Sequence, residues 1–207
     1  MTRIAVVIPC YRASDRILGV LGAIGPECAA IFVVDDGCPE GTGKLVRDRV
    51  TDPRVRVLSH DRNRGVGAAV MTGYRAALAD GADIIVKMDG DGQMAPADLP
   101  ALVAPILEGS SDYAKGNRFA ELSGLPAMPV VRMIGNAALS FVTKFSSGYW
   151  DVFDPTNGYT AIHAEVVARL PLDRIAPRYF FESDMLFRLY TVRAVVCDVP
   201  MPALYGS

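Results

Sequence analysis

The sequence predicts an α/β domain built on a mostly parallel, Rossmann-like central sheet flanked by helices. Three observations carry this reading. Continuous apolar runs at residues 4–8, 30–34, 55–58 and 84–88 have the length and composition of strands covered on both faces. Stretches of helical pattern separate them, at 15–24, 43–50 and 65–79. Each apolar run ends in a break rich in Gly, Asp or Asn. Such alternation implies right-handed strand–helix–strand crossovers and a parallel sheet, with ligands at the carboxyl ends of the strands.

The run at 4–8 comes first and carries no signal-peptide pattern, because its apolar stretch stops at Pro9 and meets Tyr11 and Arg12 without a cleavage-like site. Residues 17–34 are the one stretch that imitates a membrane span. Gly25, Pro26 and Glu27 break it, and its second half is β-branched before two aspartates, so a helix followed by a strand explains it better. In 65–79, Ala68, Met71, Arg75 and Leu78 trace one helical face. The second half is less regular. Strands are expected at 113–116 and 194–199, a helix with small residues at 130–147, an apolar segment at 159–162 and a helix at 181–190.

Of 207 residues, 51% are hydrophobic and 21% charged, enough for a sizeable core and too apolar for disorder. One domain is expected over 1–207, with a nucleotide-binding half at 1–118 and an acceptor-side half at 119–207. Twenty-one basic residues against 23 acidic ones argue against a general nucleic-acid binder. The four cysteines form no CxxC pair and read as reduced thiols.

The unusual polar residues gather in the loops after the first four strands. Lys87-Met88-Asp89-Gly90-Asp91-Gly92-Gln93 is the strongest signal. Two carboxylates one residue apart at a strand end can converge on one divalent cation, and hard oxygen ligands suit Mg²⁺ or Mn²⁺ bridging a diphosphate. Solvated aspartates in an acidic turn would leave the same letters, but three further loops on the same sheet edge weigh against that. Asp35-Asp36-Gly37 ends the second run. A carboxylate there can read the ring N–H of uracil or guanine, and an Asp-Gly turn with a helix cap is the plainer alternative. Arg62-Asn63-Arg64-Gly65 follows the third run, as a phosphate grip or as a solvated pair. The six arginines from Arg47 to Arg64 fit a solvated face, and His60 and His163 lack a metal or triad partner in sequence.

Ile8-Pro9-Cys10-Tyr11, Val33 through Thr42 with Asp35-Asp36-Gly37, Asn63-Arg64-Gly65 and Asp89-Gly90-Asp91-Gly92-Gln93 stand in the order of the motifs of family-2 inverting glycosyltransferases, and the chain resembles that family over nearly its whole length. The Asp-Gly-Asp-Gly-Gln form and Lys115-Gly116-Asn117-Arg118-Phe119 resemble the branch of dolichyl-phosphate mannose synthases and bacterial polyprenyl-phosphate glycosyltransferases. The resemblance implies a GT-A fold and a set of roles. Pro9, Tyr11 and Asp36 would line the base, Asp35 would hold that loop, and Asn63 and Gly65 would belong to the nucleotide-sugar site. Asp89 would face the donor sugar or the metal, Asp91 and Gln93 would ligate the metal, and Arg118 would sit near a phosphate. Asp154 in Asp154-Pro155-Thr156-Asn157-Gly158-Tyr159 ranks first as the acceptor-side carboxylate, then Asp184 and Glu182 of Phe181-Glu182-Ser183-Asp184-Met185. Capping and ion pairing are the plainer roles for all three.

Two departures stand out. Arg12-Ala13 replace the acidic residue usual shortly after the first-strand motif, and the Gln/Arg-x-x-Arg-Trp motif of processive synthases is missing, Trp150 being the one tryptophan. The expected reaction is therefore metal-dependent transfer from a UDP- or GDP-sugar to a polyprenyl phosphate or other lipid-linked acceptor. It is expected on the cytoplasmic side of the cell membrane, with these residues soluble and membrane segments following Ser207. A sugar-1-phosphate nucleotidyltransferase is the alternative enzyme, though a Gly-rich loop is missing after the first strand. A non-catalytic nucleotide-sugar-binding protein is the alternative outside enzymes.

Overall fold

The computed structural model describes residues 2–118, 148–150 and 152–202. Seven strands form one sheet: β1 (Ile4–Cys10), β2 (Cys28–Asp35), β3 (Val55–Ser59), β4 (Ile84–Lys87), β5 (Tyr113–Asn117), β6 (Thr160–His163) and β7 (Val196–Pro200). Their spatial order is β3-β2-β1-β4-β6-β5-β7. The first four pair in parallel, as the alternation with helices predicts. The apolar segment expected at 159–162 becomes β6, which runs antiparallel between β4 and β5, while β7 is parallel to β5. The result is a mostly parallel α/β sheet with helices on both faces.

Strand alternation distributes the apolar side chains between two cores. Ala5, Val7, Phe32, Val34 and Ile85 face α3 (Val66–Ala79) and α6 (Phe181–Thr191). Val6, Ile8, Ile31, Val33 and Val86 face the opposite side, where α1 (Ile17–Ala23), α2 (Thr42–Arg49) and α4 (Leu99–Leu107) pack. Helix α5 (Ala164–Arg169) follows β6 directly and begins at His163, whose side chain accepts from the Glu165 backbone N–H. Helix α4 is not apparent from its sequence, because Pro100 and Pro105 obscure it. Pro100 lies in the first turn, where no N–H is needed, and the helix continues two residues past Pro105. The expected helix at 130–147 lies outside the described residues. No helix among the described residues is long and apolar enough to cross a membrane.

Strand register also sets two cations side by side. Lys87 of β4 and Lys115 of β5 both pair with Thr160 of the intervening β6. Directly opposed residues project to the same face, so the two lysines share one side of the sheet, and both are buried.

Candidate active site

Parallel pairing brings the carboxyl ends of β1 to β4 to one edge, and two adjoining cavities open there. The larger, about 490 Å³, is walled by Pro9, Tyr11, Asp36, Asn63, Gly65 and Asp89 among others. The smaller, about 110 Å³, takes in Gln93, Arg118, Thr156 and Asn157. Asp89 and Asp91 line both, so the acidic loop after β4 is the partition between them.

The aspartates after β2 organise the loops. Asp35 accepts the Cys38 N–H at 2.7 Å and the Gly43 N–H at 2.8 Å, which folds the chain back into the start of α2. Asp36 reaches the other way. It accepts the backbone N–H of Arg64 at 2.9 Å and of Gly65 at 2.7 Å, and lies 2.7 Å from His60 Nδ1. Its Oδ1 holds two of these donors and its Oδ2 one, leaving a single acceptor position of the four a carboxylate offers. His60 completes a buried chain through Nε2, 2.9 Å from Thr72 Oγ1 on α3. Sequence reading finds no partner for His60, because Asp36 and Thr72 come from separate elements. Gly65 itself adopts φ +102°, and a Cβ there would stand 2.3 Å from the Pro177 carbonyl oxygen. Only glycine allows that approach, and beside it Arg178 and the exposed Tyr179 join the cavity wall.

In the acidic loop Asp91 is exposed and its Oδ1 accepts the Gln93 N–H at 3.0 Å. Among the described residues no group of three or more His, Cys, Asp or Glu side chains gathers as a cation cage. The donor set still fits Mg²⁺ or Mn²⁺, which take one or two carboxylates and complete their shell with phosphate oxygens and water. Asp91 and Asp89, with the Gln93 amide beside them, are the residues that would hold such an ion.

The acceptor-side carboxylates occupy three different environments. Asp154 is fully buried and gripped by Arg118, with Nε to Oδ2 at 2.8 Å and Nη2 to Oδ1 at 3.1 Å. Thr156 Oγ1 adds a bond at 3.3 Å. Asp154 thus faces the smaller cavity through its partners Arg118 and Thr156. Asp184, on the first turn of α6, accepts the Ala176 N–H at 2.7 Å and Arg188 Nε at 3.2 Å, and so anchors the loop before its own helix. Glu182, also in the first turn of α6, points its Oε1 to within 3.5 Å of Lys87 Nζ.

Lys87 and Lys115 are the residues sequence reading passes over. Lys87 ends β4 and Lys115 stands in the middle of β5, and each lies within a motif but is given no role. Lys115 Nζ donates to the Asn157 carbonyl. Burial pulls its ammonium down to about 8, against the favourable charges of Glu182 and Asp154. Burial also pulls on Lys87, but Asp89 and Glu182 outweigh it and hold that ammonium above the ordinary lysine value. Asn157 stitches this floor together: its Nδ2 donates to the Gly116 carbonyl at 2.8 Å and its Oδ1 accepts the Tyr159 N–H at 3.0 Å.

Known proteins share this fold. Glucosyl-3-phosphoglycerate synthase of Mycobacterium tuberculosis superposes with a TM-score of 0.74 at 22% identity, covering all of this chain and 74% of that one. A second structure of it, with Mn²⁺, UDP and glucosyl-3-phosphoglycerate, gives 0.72 at 23% identity over 98% of this chain and 71% of that one. These likenesses establish the GT-A fold. In sequence, the chain is 30% identical to UDP-N-acetylglucosamine–dolichyl-phosphate N-acetylglucosaminyltransferase of Methanococcus voltae, over 98% of this chain and 86% of that protein. It is 32% identical to undecaprenyl-phosphate mannosyltransferase of Micrococcus luteus, over 96% and 82% respectively. Residues 5–170 match the profile of glycosyl transferase family 2, and the chain belongs to that family of glycosyltransferases.

Proposed function

We propose that this glycosyltransferase moves a sugar from a UDP- or GDP-linked donor to a polyprenyl phosphate, with inversion at the sugar carbon and a divalent cation bound. The observation that carries the reading is the partition: Asp89 and Asp91 line both cavities, so a donor diphosphate in the larger one and an acceptor in the smaller one would meet across them. The cation supplies charge neutralisation for the departing diphosphate. Everything else falls to the chain's own residues. Pro9 and Tyr11 present a flat apolar wall for a base, and the remaining acceptor position of Asp36 suits one ring N–H. Arg118, held by Asp154, presents a guanidinium at the smaller cavity, which suits an acceptor phosphate.

That assignment changes what Asp154 has to do. A polyprenyl phosphate is already anionic at neutral pH, so no proton need be removed from it, and Asp154 acts by orienting Arg118. The relatives from Methanococcus voltae and Micrococcus luteus, named for dolichyl-phosphate and undecaprenyl-phosphate acceptors, support the lipid. The neighbour crystallised with Mn²⁺ and UDP supports the cation and donor class. On this reading the reaction runs at the cytoplasmic face of the cell membrane. A thermal-shift panel of UDP- and GDP-sugars with and without Mn²⁺, followed by transfer of labelled sugar to undecaprenyl phosphate, tests it. A native-state ligand at 100 times its dissociation constant stabilises by about 2.7 kcal/mol, which is readily seen. Transfer to a water-soluble acceptor alone would refute the lipid assignment.

A further inference from the structure

We propose that Lys87 is a positioning residue whose buried ammonium joins Asp89 on the partition to Glu182 on α6, setting the donor-side loop and the acceptor-side helix in one geometry. The proposal rests on the glycosyl-transfer reading above. Lys87 is the last residue of β4 and its side chain is 1% exposed. Its Nζ lies 2.8 Å from Asp89 Oδ1 and 3.5 Å from Glu182 Oε1. Neither contact is well aligned as a hydrogen bond, so what joins the three groups is charge.

The surroundings enforce this contact. A Cβ on residue 158 would stand 2.2 Å from Lys87 Nζ and 2.6 Å from Asp89 Oδ2, so the bare backbone of Gly158 roofs the pair. Lys115, on the same face, donates to the Asn157 carbonyl, while Lys87 lies within reach of both carboxylates. A buried ion pair is rarely the cheapest way to fill a core, since an apolar side chain of similar volume avoids its desolvation. Here the pair ties the loop after β4 to the first turn of α6. Asp89 tied to Lys87 is held toward the donor, leaving Asp91, exposed and more loosely bound, as the freer carboxylate of the two.

The variants are Lys87→Met, which keeps the volume and removes the charge, Lys87→Arg, which restores charge, and Glu182→Gln. Two readouts separate this inference from the functional reading. The first, urea unfolding of the Lys87→Met and Glu182→Gln cycle, needs no substrate. Joined residues give non-additive unfolding constants, by about fivefold or more, and additive ones overturn the proposal. If Lys87→Met does not fold, Lys87→Gln, which also removes the charge, takes its place in the cycle. The second readout is single-turnover sugar transfer beside UDP affinity in Mn²⁺. We expect Lys87→Met to lose about a hundredfold in rate, the scale of a misplaced reacting group, with UDP affinity little changed and Lys87→Arg recovering part of the rate. A rate for Lys87→Met equal to wild type, or a loss wholly accounted for by UDP affinity, overturns the positioning role. A wild-type protein that transfers no sugar overturns the functional reading, while the urea cycle still decides whether Lys87 joins the two halves.

Discussion

Replacing Lys115 by Met should change how stability depends on pH, in a direction the buried ammonium dictates. In the folded chain Lys115 is fully buried on β5 and its pKa falls from 10.5 to about 8. Glu182, Asp154 and Asp198 favour its charge, Lys87 opposes it, and burial dominates. At pH 7 the folded state therefore carries a penalty of about 3 kcal/mol relative to an unshifted lysine. Below pH 8 that penalty is present in full. Between about pH 8 and 10.5 the unfolded chain still holds a proton that the folded chain has released, so stability rises by about 1.4 kcal/mol per pH unit. Lys115→Met removes the penalty and the slope together. It also strands the Asn157 carbonyl, at about 1–3 kcal/mol, so at pH 7 the variant should match wild type or exceed it by up to about 2 kcal/mol. Buried thiols act oppositely: Cys28 is raised to about 12 by burial, so its contribution is lost as pH climbs past the ordinary thiol value. Such terms are common to both proteins and cancel in the difference. Urea unfolding followed by circular dichroism at pH 7, 8, 9 and 10 measures that difference. It should move in favour of wild type by about 2.5 kcal/mol across the range, and a flat difference would refute the argument.

Three further outcomes are expected at the site. Asp91→Asn should leave the urea midpoint unchanged, since Asp91 is exposed, while turnover falls by about 10² or more. Wild-type turnover should be lost in EDTA and return with Mn²⁺, and full activity in EDTA would count against a metal. Asp36→Asn should lower stability by about 1–3 kcal/mol, because an amide cannot accept from all three donors that now converge there. Calorimetry with UDP and GDP should show weaker binding as the 60–65 loop loses its anchor, and unaltered stability would show that these bonds contribute little. Gly158→Ala should cost about 1–3 kcal/mol through overpacking against Lys87 Nζ, read as a lower urea midpoint.

The first four strands, their parallel pairing and the placement of Asp36, Gly65, Asp89 and Asp91 on one edge were legible in the chain itself. Strands buried on both faces must be apolar throughout, and a parallel sheet must deliver its loops to the same end, so local pattern was enough. Helix α4 escaped because its two prolines mask the helical period, although both are tolerated where they fall. The antiparallel insertion of β6 between β4 and β5 was not legible, since pairing partners are chosen by long-range packing and a four-residue strand leaves little periodicity. Side-chain partnership is the deeper limit. Sequence reading offers Asp36 to the base, and folding adds contacts that spacing does not show, with His60 and the Arg64 and Gly65 amides. It also ranks Glu182 last, while folding carries α6 across the sheet until that carboxylate meets Lys87. Spacing along the chain reveals which groups can be charged or can turn the backbone. Which charges end in contact depends on where the elements pack, and burial then sets how strongly each is felt, because water no longer screens them.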